Sequence, residues 1–209
     1  MIRVLIADDH AIVRKGLKQL LLEEYPSAVV EEAGDAETLI NKTIQEDWDI
    51  VICDLSMPGR SGLDALRQIK QTSPSLPVLI MSVHPEDQYA LRVLKAGASA
   101  YLGKDTVHDE LIKAIQAARL GKKYITPSIA EKLADAFEND TGKESHQALS
   151  DREFDVFKLL AMGKSISEIA AQLSLSITTV STYRARVLDK MKMRSNAEMT
   201  RYAMETGLI

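Results

Sequence analysis

Five short, strongly apolar segments, separated by stretches of helical periodicity, recur through the first 122 residues. Continuous apolar segments of this length are typical of strands that are buried on both faces, and helical connections allow such strands to run parallel. The pattern predicts an α/β fold, a doubly wound five-stranded parallel sheet with helices on both faces. The predicted strands are residues 3–7, 28–30, 49–53, 77–81 and 98–102.

The charges divide the chain into two unlike parts. Residues 1–146 hold 17 basic and 23 acidic side chains, whereas residues 147–209 hold 9 and 7. This asymmetry predicts an acidic module joined to a second module that meets a polyanion. Residues 139–148 lack large apolar side chains and contain Gly, Ser and Asn, so we expect the boundary and a linker there.

The cysteine content and the hydropathy of the chain indicate its compartment. The only cysteine, Cys53, can form neither an internal disulfide nor a zinc cluster, and a buried packing role is expected for it. No apolar run approaches the length of a membrane span, and the N-terminus turns acidic before a signal-peptide core could form. These features predict a cytoplasmic protein with no membrane partner.

Polar side chains follow four of the five predicted strands. Asp8 and Asp9 follow the first, Asp54 the third, Ser82 the fourth and Lys104 the fifth. In an open parallel sheet ligands bind at the carboxyl ends of the strands, near the point where the strand order reverses. Clustered carboxylates repel one another unless a cation or an ammonium group neutralises them, and an all-oxygen ligand set favours Mg²⁺. The pattern therefore predicts a magnesium pocket suited to a phosphoryl group.

A carboxylate in such a pocket can act as the nucleophile and form an aspartyl phosphate, with Lys104 and Ser82 meeting the new oxygens. The alternative is that each aspartate is only a turn residue or a helix N-cap, which is common for any one of them. The joint occurrence of all five polar residues favours the functional interpretation. The four histidines lack metal-ligand spacing, so surface or capping roles are expected for His10, His84, His108 and His146.

These residues, together with the segments 54–59 and 101–104, resemble the receiver domain of two-component response regulators over residues 2 to about 122. The resemblance implies that a sensor histidine kinase phosphorylates Asp54. It implies that Ser82 and Lys104 contact the phosphoryl group and that Tyr101 acts as a switch by changing rotamer, although an aromatic residue at a sheet edge can simply pack. It also implies that Ser56 and His84 influence the lifetime of the phosphoryl group. The implied Mg²⁺ ligands are Asp8, Asp9, Asp54 and the backbone carbonyl of Ser56.

The C-terminal part predicts an all-α helix-turn-helix domain of four helices. Three capping boxes mark helix starts, at Ser150/Glu153, Ser165/Glu168 and Ser195/Glu198, and Gly163 marks a helix end. A short helix, a tight turn at 173–176 and a third helix with polar and basic residues on its outer face complete the pattern.

A basic helix is by itself usually a solvated face, but the turn and the hydroxyl residues favour DNA. Lys and Arg would neutralise phosphates, while Ser181, Thr182 and Arg184 could approach base edges in the major groove. The predicted DNA contacts are Lys164, Ser176, Thr178, Thr179, Ser181, Thr182, Tyr183, Arg184, Arg186 and Lys190.

The segments 149–153, 162–165, 168–170 and 179–183 resemble the LuxR-type DNA-binding domain, so the chain resembles a full-length regulator of the NarL/FixJ subfamily. Ser181 and Tyr183 depart from Lys and His, which many members have there, so base preference is not carried over, whereas docking through helix 176–192 is. The resemblance implies dimerisation through the last helix, 195–205, which could otherwise be a plain packing helix. The predicted domains are a receiver at 1–122, a helix and linker at 123–148, and a DNA-binding domain at 149–209.

Together these features predict a phosphorylation-controlled transcription regulator that binds promoter double-stranded DNA as a homodimer and has RNA polymerase as a further partner. We expect no enzymatic activity beyond slow autodephosphorylation. One alternative is an aspartyl-phosphate phosphotransferase or phosphatase, but Ser56 stands where a phosphatase of this type would need a carboxylate two residues after Asp54. Another is a DNA-binding protein with an inert receiver, which the complete acidic pair, Ser82 and Lys104 disfavour.

Overall fold

The computed structural model describes residues 1–138 and 145–209 and divides into two compact units, residues 1–135 and 136–209. The predicted linker at 139–148 therefore lies partly outside the described residues. The first unit alternates strands and helices: β1 (Arg3–Ala7), α1 (Ala11–Glu24), β2 (Val29–Ala33), α2 (Ala36–Gln45), β3 (Ile50–Asp54), α3 (Gly62–Thr72), β4 (Val78–Ser82), α4 (Glu86–Lys95), β5 (Ala100–Gly103) and α5 (Val107–Arg119).

The five strands form one parallel sheet in the order β2-β1-β3-β4-β5, which confirms the predicted fold class. After β2 the chain crosses β1 to begin the other half of the sheet, so the strand order reverses between β1 and β3. The crevice beside their carboxyl ends is where a parallel sheet of this kind binds its ligand.

The strand ends differ by a few residues from the sequence prediction. β3 and β4 end on Asp54 and Ser82 themselves, because the ladder continues through the pairs Asp54 with Met81 and Ser82 with Gly103. β2 runs to Ala33 rather than ending at residue 30. Its later residues include two glutamates, which an edge strand tolerates because their side chains reach solvent.

The sheet is covered on both faces because its strands are apolar on both sides. Val4 and Ile6 of β1 pack in one cluster with Leu17 of α1 and Ile115 of α5. Leu5, which alternates with them, points to the opposite face and is fully buried there.

The chain that follows α5 runs along the β5 edge of the sheet. Tyr124 forms a parallel bridge with Ala100, and its backbone N–H donates to the Ser99 carbonyl over 2.8 Å. The hydroxyl of Thr126 then donates to Glu86 at the start of α4 over 3.2 Å, and α6 (Pro127–Glu138) follows.

The second unit contains a 3₁₀ turn (Ser145–Ala148) and the four predicted helices: α7 (Asp151–Ala161), α8 (Ile166–Gln172), α9 (Ile177–Lys190) and α10 (Asn196–Glu205). Phe154, Phe157, Val180 and Val187 are fully buried between them. In the described residues, no helix is both long enough and apolar enough to span a membrane.

Two of the three predicted capping boxes are complete, those of α7 and α8. The prediction for α10 was half wrong. The Ser195 hydroxyl accepts from the Glu198 N–H over 3.3 Å, but the Glu198 carboxylate accepts from the Arg194 N–H over 2.9 Å. Glu198 therefore reaches one residue further back, since Ser195 is strongly extended at φ −151°.

Candidate functional site

An ammonium group bridges two buried carboxylates at the carboxyl end of the sheet. Lys104 Nζ lies 2.7 Å from Asp8 Oδ2 and 2.9 Å from Asp54 Oδ2. Asp8 is fully buried and Asp54 is 2% exposed, so both need a nearby positive charge. Three strands therefore converge on one pocket, because Asp8 follows β1, Asp54 ends β3 and Lys104 follows β5.

Asp9 and His10 complete the acidic pocket. One ligand atom from each of Asp8, Asp9, His10 and Asp54 lies within 4.8 Å of the others. Asp9 Oδ1 is buried and makes no hydrogen bond to any described residue, although His10 Nδ1 is 2.9 Å away. The His10 backbone N–H donates to Asp8 Oδ1 over 2.7 Å, and its side chain is 63% exposed at the start of α1. His10 stands at the N-cap of α1 and is exposed, as expected from the sequence, but its contacts with Asp8 and Asp9 are not indicated by the sequence pattern.

This donor set fits a hard divalent cation. Three carboxylates converge, and the buried Oδ1 of Asp9 makes no hydrogen bond to a described residue beyond its 2.9 Å contact with the exposed His10 side chain. Such an oxygen costs free energy unless something binds it, and carboxylate oxygens are the ligands that Mg²⁺ prefers.

Burial and the charge interactions between Lys104 and the carboxylates have opposite effects on the pKa values of Asp54 and Lys104. Burial raises the pKa of Asp54 above its ordinary value, Lys104 works against this through a hydrogen bond and its charge, and Asp8 adds to the rise. Burial alone would lower the pKa of Lys104, but hydrogen bonds and charge interactions with Asp8 and Asp54 outweigh it and raise that pKa. Lys104 is therefore charged at neutral pH and favours the ionised form of Asp54.

The loop after β3 is held close to Asp54. A β-carbon at position 62 would lie 2.0 Å from the Asp54 carbonyl oxygen, so only glycine fits there. The Gly62 N–H donates to the Leu55 carbonyl over 2.9 Å, and Gly59 has a φ of 73°. The Ser56 backbone also acts, as the smallest contribution, against the rise in the pKa of Asp54.

Ser82, His84 and Tyr101 form a chain of hydrogen bonds beside the pocket. The Ser82 hydroxyl, which is buried, accepts from the His84 backbone N–H over 2.9 Å. The Tyr101 hydroxyl donates to the His84 carbonyl over 2.8 Å. Tyr101 is fully buried, so the structure records its inward position, and the rotamer change on phosphorylation stays a prediction.

The His84 side chain contacts Ser56, in the loop after β3, and Tyr89, on α4. Its Nε2 lies 3.0 Å from the Ser56 hydroxyl, and its ring stacks on Tyr89 of α4 with centroids 4.9 Å apart. The two residues expected to influence phosphoryl lifetime are thus in direct contact with each other.

In the second unit, a tight turn presents α9 after the short helix α8. The Leu175 N–H donates to the Ala170 carbonyl over 2.9 Å, and Ser174 takes a left-handed φ of 54°. The Ser176 hydroxyl caps α9 by accepting from the Thr179 N–H over 3.0 Å. Of the predicted DNA contacts, the exposed ones are Ser176, Thr178, Ser181, Thr182, Arg186 and Lys190, and the half-buried ones are Lys164, Thr179, Tyr183 and Arg184.

Three basic residues predicted to contact DNA also bind within the unit. Lys190 Nζ donates to the buried Glu153 carboxylate over 2.6 Å, and Arg184 Nε donates to Asn196 Oδ1 over 2.8 Å. Lys164 Nζ donates to the Gln172 side chain. The first two contacts fasten α9 to α7 and α10, so Lys190 and Arg184 position the helix whatever they contact beyond it.

Two family models match the chain. The response regulator receiver domain matches residues 4–116, and the luxR family of bacterial regulatory proteins matches residues 147–203. The parallel sheet, the acidic pocket and the match to the receiver-domain family together define a response regulator with a receiver domain. Within that class the chain belongs to the NarL/FixJ-type regulators, which join a receiver to a LuxR-type helix-turn-helix domain and act as DNA-binding response regulators of two-component systems.

Relatives and solved structures match over nearly the whole chain. Response regulator UvrY of Escherichia coli (strain K12) is 34% identical over 209 residues, covering 100% of this chain and 96% of the relative. Oxygen regulatory protein NreC of Staphylococcus carnosus (strain TM300) is 33% identical over 214 residues and covers 99% of each. RcsB from Salmonella enterica serovar Typhimurium, bound to promoter rprA with the phosphomimetic BeF₃⁻, has a TM-score of 0.65 at 28% identity, covering 97% of this chain and 98% of its own.

Proposed function

We propose that this chain is a transcription regulator controlled by phosphorylation of Asp54. The observation that carries the proposal is the Lys104 ammonium held between Asp8 and Asp54 in the crevice where the strand order reverses. The receiver family supports a sensor histidine kinase as the donor. We propose the domain limits 1–122 for the receiver, 123–148 for the helix and linker, and 149–209 for the DNA-binding domain.

In the proposed reaction a carboxylate oxygen of Asp54 attacks the phosphorus of a phosphohistidine. A P–O bond forms as the P–N bond breaks, and the electron pair of that bond returns to the imidazole. Lys104 favours ionised Asp54 beforehand, then meets the new phosphoryl oxygens together with the Ser82 hydroxyl. Mg²⁺, when bound, supplies positive charge against the transferring phosphoryl oxygens. The residues that would hold it are Asp8, Asp9, Asp54 and the Ser56 carbonyl.

The effect of phosphorylation would pass from the pocket to α4 and Tyr101 through the backbone of His84. If the Ser82 hydroxyl turns towards a phosphoryl oxygen, the His84 N–H loses its present acceptor and the loop before α4 must adjust. Tyr101 follows because its hydroxyl is bonded to the His84 carbonyl. The Thr126 hydroxyl joins the start of α4 to the segment that leads into α6, so a change at α4 reaches the chain towards the second unit.

The second unit would bind promoter DNA through α9. Exposed Arg186 would neutralise a phosphate, while Ser181 and Thr182 would face base edges. Solved complexes of RcsB with DNA, and of two RcsB dimers on two DNAs, support DNA binding as a homodimer. On α10 the Met204 side chain is 67% exposed, which supports this helix as the dimer surface. A regulator at a promoter works in the cytoplasm and beside RNA polymerase, which we propose as a further partner.

We propose acceptor chemistry rather than enzymatic turnover. Ser56 stands two residues after Asp54, and its hydroxyl is already engaged with His84 Nε2. Release of the phosphoryl group by attack of water would need a general base at such a position. The phosphoryl group on Asp54 is therefore expected to persist long enough to act as a signal.

Intact mass spectrometry tests the acceptor assignment. Wild type, Asp54→Asn and the matched control Asp109→Asn, an exposed aspartate on α5, are incubated with phosphoramidate and Mg²⁺. We expect one added phosphoryl group on wild type and on the control, and none on Asp54→Asn. Equal modification of Asp54→Asn and wild type would overturn the assignment.

A further inference from the structure

Arg14 of α1 binds the backbone of the acidic pair Asp8 and Asp9 through the Asp8 carbonyl. Its Nη1 donates to the Asp8 carbonyl oxygen over 2.7 Å, and its Nε donates to Glu32 Oε2 on β2 over 2.9 Å. The side chain is 17% exposed, although it lies on a helix whose neighbouring positions reach solvent. The guanidinium therefore ties α1, β2 and the end of β1 together.

The bond to the Asp8 carbonyl bears directly on Asp9. The Asp8 carbonyl and the Asp9 N–H belong to one rigid peptide plane, so fixing the carbonyl fixes the direction in which the Asp9 backbone begins. Asp8 has further restraints: its N–H donates to the Ala33 carbonyl over 3.3 Å, and its two carboxylate oxygens bind the His10 N–H and Lys104 Nζ. Asp9 Oδ1, in contrast, makes no hydrogen bond to a described residue, and its 2.9 Å contact is with Nδ1 of His10, whose side chain is 63% exposed. The position of Asp9 therefore depends largely on the backbone that Arg14 holds.

We infer that Arg14 is a positioning residue for the acidic pocket, which sets the Asp8–Asp9 peptide so that both carboxylates are preorganised for a divalent cation. The inference rests on the proposed function, in which this pocket holds Mg²⁺. The planar guanidinium suits the task because it donates in two fixed directions at once, whereas a lysine ammonium in its place would act as a single point charge.

A second arginine–glutamate ion pair in the first unit provides a control for the substitution of Arg14. Arg3 pairs with Glu46, and their side chains are 35% and 39% exposed. Arg3 begins β1, so it lies at the opposite end of the strand from Asp8. Its loss removes one arginine–glutamate pair without touching the pocket, which makes Arg3→Gln the matched control for Arg14→Gln.

Calorimetric titration of the full chain with Mg²⁺ measures the predicted effect. Groups that orient metal ligands typically change metal affinity by about 10-fold or more when they are removed, so Arg14→Gln should raise the Mg²⁺ Kd about 10-fold. Arg3→Gln should leave the Kd within about twofold of wild type, because it removes a partly exposed pair with Glu46 and a contact with the Trp48 ring, both at the opposite end of β1 from the ligands. Glu32→Gln keeps the bond to the Asp8 carbonyl and weakens only its anchor, so its Kd should lie between wild type and Arg14→Gln.

Two further readings separate positioning from general loss of structure. At saturating Mg²⁺ the phosphorylation rate of Arg14→Gln should return to that of wild type, since every reacting group is present. Without Mg²⁺ the His10 amide, which donates to Asp8 Oδ1, should exchange faster in Arg14→Gln than in Arg3→Gln. Equal Kd values for Arg14→Gln and Arg3→Gln would overturn the inference. If wild type itself bound no Mg²⁺, the proposed metal pocket would fail, and the His10 exchange rates would still decide whether Arg14 holds this backbone.

Discussion

Tyr101 and His84 are joined by a hydrogen bond in which the buried phenol hydroxyl donates to the backbone carbonyl over 2.8 Å. Because the N–H of the same histidine donates to the Ser82 hydroxyl, one loop residue connects an aromatic side chain of β5 with the edge of the acidic pocket. The connection is made by backbone groups, so it does not depend on the identity of the histidine side chain.

Replacing Tyr101 with Phe should weaken communication without affecting phosphorylation. Loss of one intramolecular hydrogen bond costs about 1 kcal/mol, which corresponds to about a fivefold change in an equilibrium constant. We expect the gain in DNA affinity on phosphorylation to fall by about that factor, measured by fluorescence anisotropy with promoter DNA. Tyr25→Phe is the matched control, because the buried Tyr25 hydroxyl has no hydrogen-bond partner among the described residues. An unchanged affinity gain in Tyr101→Phe would show that this bond carries no signal.

Lys104→Met should destabilise the first unit strongly in the absence of Mg²⁺. It leaves Asp8 and Asp54 buried without their ammonium partner, and breaking a buried pair from one side costs about 3 kcal/mol. Lys42→Met removes a more exposed pair with Glu31 and should cost about 1 kcal/mol or less. Urea unfolding followed by the fluorescence of Trp48, the only tryptophan, measures both. Added Mg²⁺ should recover much of the loss in Lys104→Met only, and equal losses in the two variants would contradict the role of Lys104.

The stability of the second unit should fall at acidic pH because of Glu153. Burial raises the pKa of Glu153, but the Lys190 hydrogen bond and charge, together with the bonds from Ser150, outweigh burial and lower it. A lowered pKa in the folded state gives stability that is present above the unfolded-state pKa, ordinarily 4.5, and is lost as the pH falls through the folded value.

Hydrogen exchange of α7 and α9 amides checks this pH dependence. The amides of wild type should be better protected than those of Glu153→Gln at pH 7. This difference should shrink as the pH falls from about 4.5 through the lower folded-state pKa, below which Glu153 is protonated and the two chains differ little in charge. Glu205→Gln, at an exposed position on α10, should match wild type at every pH. A protection difference between wild type and Glu153→Gln that does not change with pH would exclude ionised Glu153 as its cause.

Arg186→Gln should weaken DNA binding on every sequence and lower its salt dependence. One lost phosphate contact reduces the slope of log K against log salt by about 1. Lys122→Gln removes one exposed charge from the first unit and should leave the slope unchanged. Ser181→Ala, by comparison, should leave the slope intact and change the relative affinity for different promoters. An unchanged slope in Arg186→Gln would place Arg186 away from the phosphates.

The sequence was sufficient for the parallel sheet because apolar strands and helical periodicity are local signals. The pocket was also predictable in outline, since Asp8, Asp54 and Lys104 follow from strand ends alone. The predicted strand ends were less accurate where a polar residue continues a strand. Asp54 and Ser82 pair with neighbouring strands, although polar residues of these types are more typical of loops.

Contacts between distant elements could not be read from local patterns. Arg14 meets Asp8 and Glu32 only because α1, β1 and β2 pack together, and nothing in the spacing of these residues indicates it. The Lys190 contact with Glu153 depends in the same way on how α9 crosses α7. Sequence reasoning identified Lys190 by its charge, which does not distinguish a DNA contact from a bond that fixes the helix.

Control of DNA binding by a phosphoryl group on Asp54 is tested most directly by measuring promoter affinity with and without phosphoramidate and Mg²⁺. Wild type, Asp54→Asn and Asp109→Asn are compared at one fixed salt concentration, because affinity for DNA depends strongly on salt. We predict that phosphorylation tightens binding in wild type and Asp109→Asn and leaves Asp54→Asn unchanged. Equal tightening in Asp54→Asn, or no change in a wild-type chain shown to carry the phosphoryl group, would contradict control of DNA binding through Asp54.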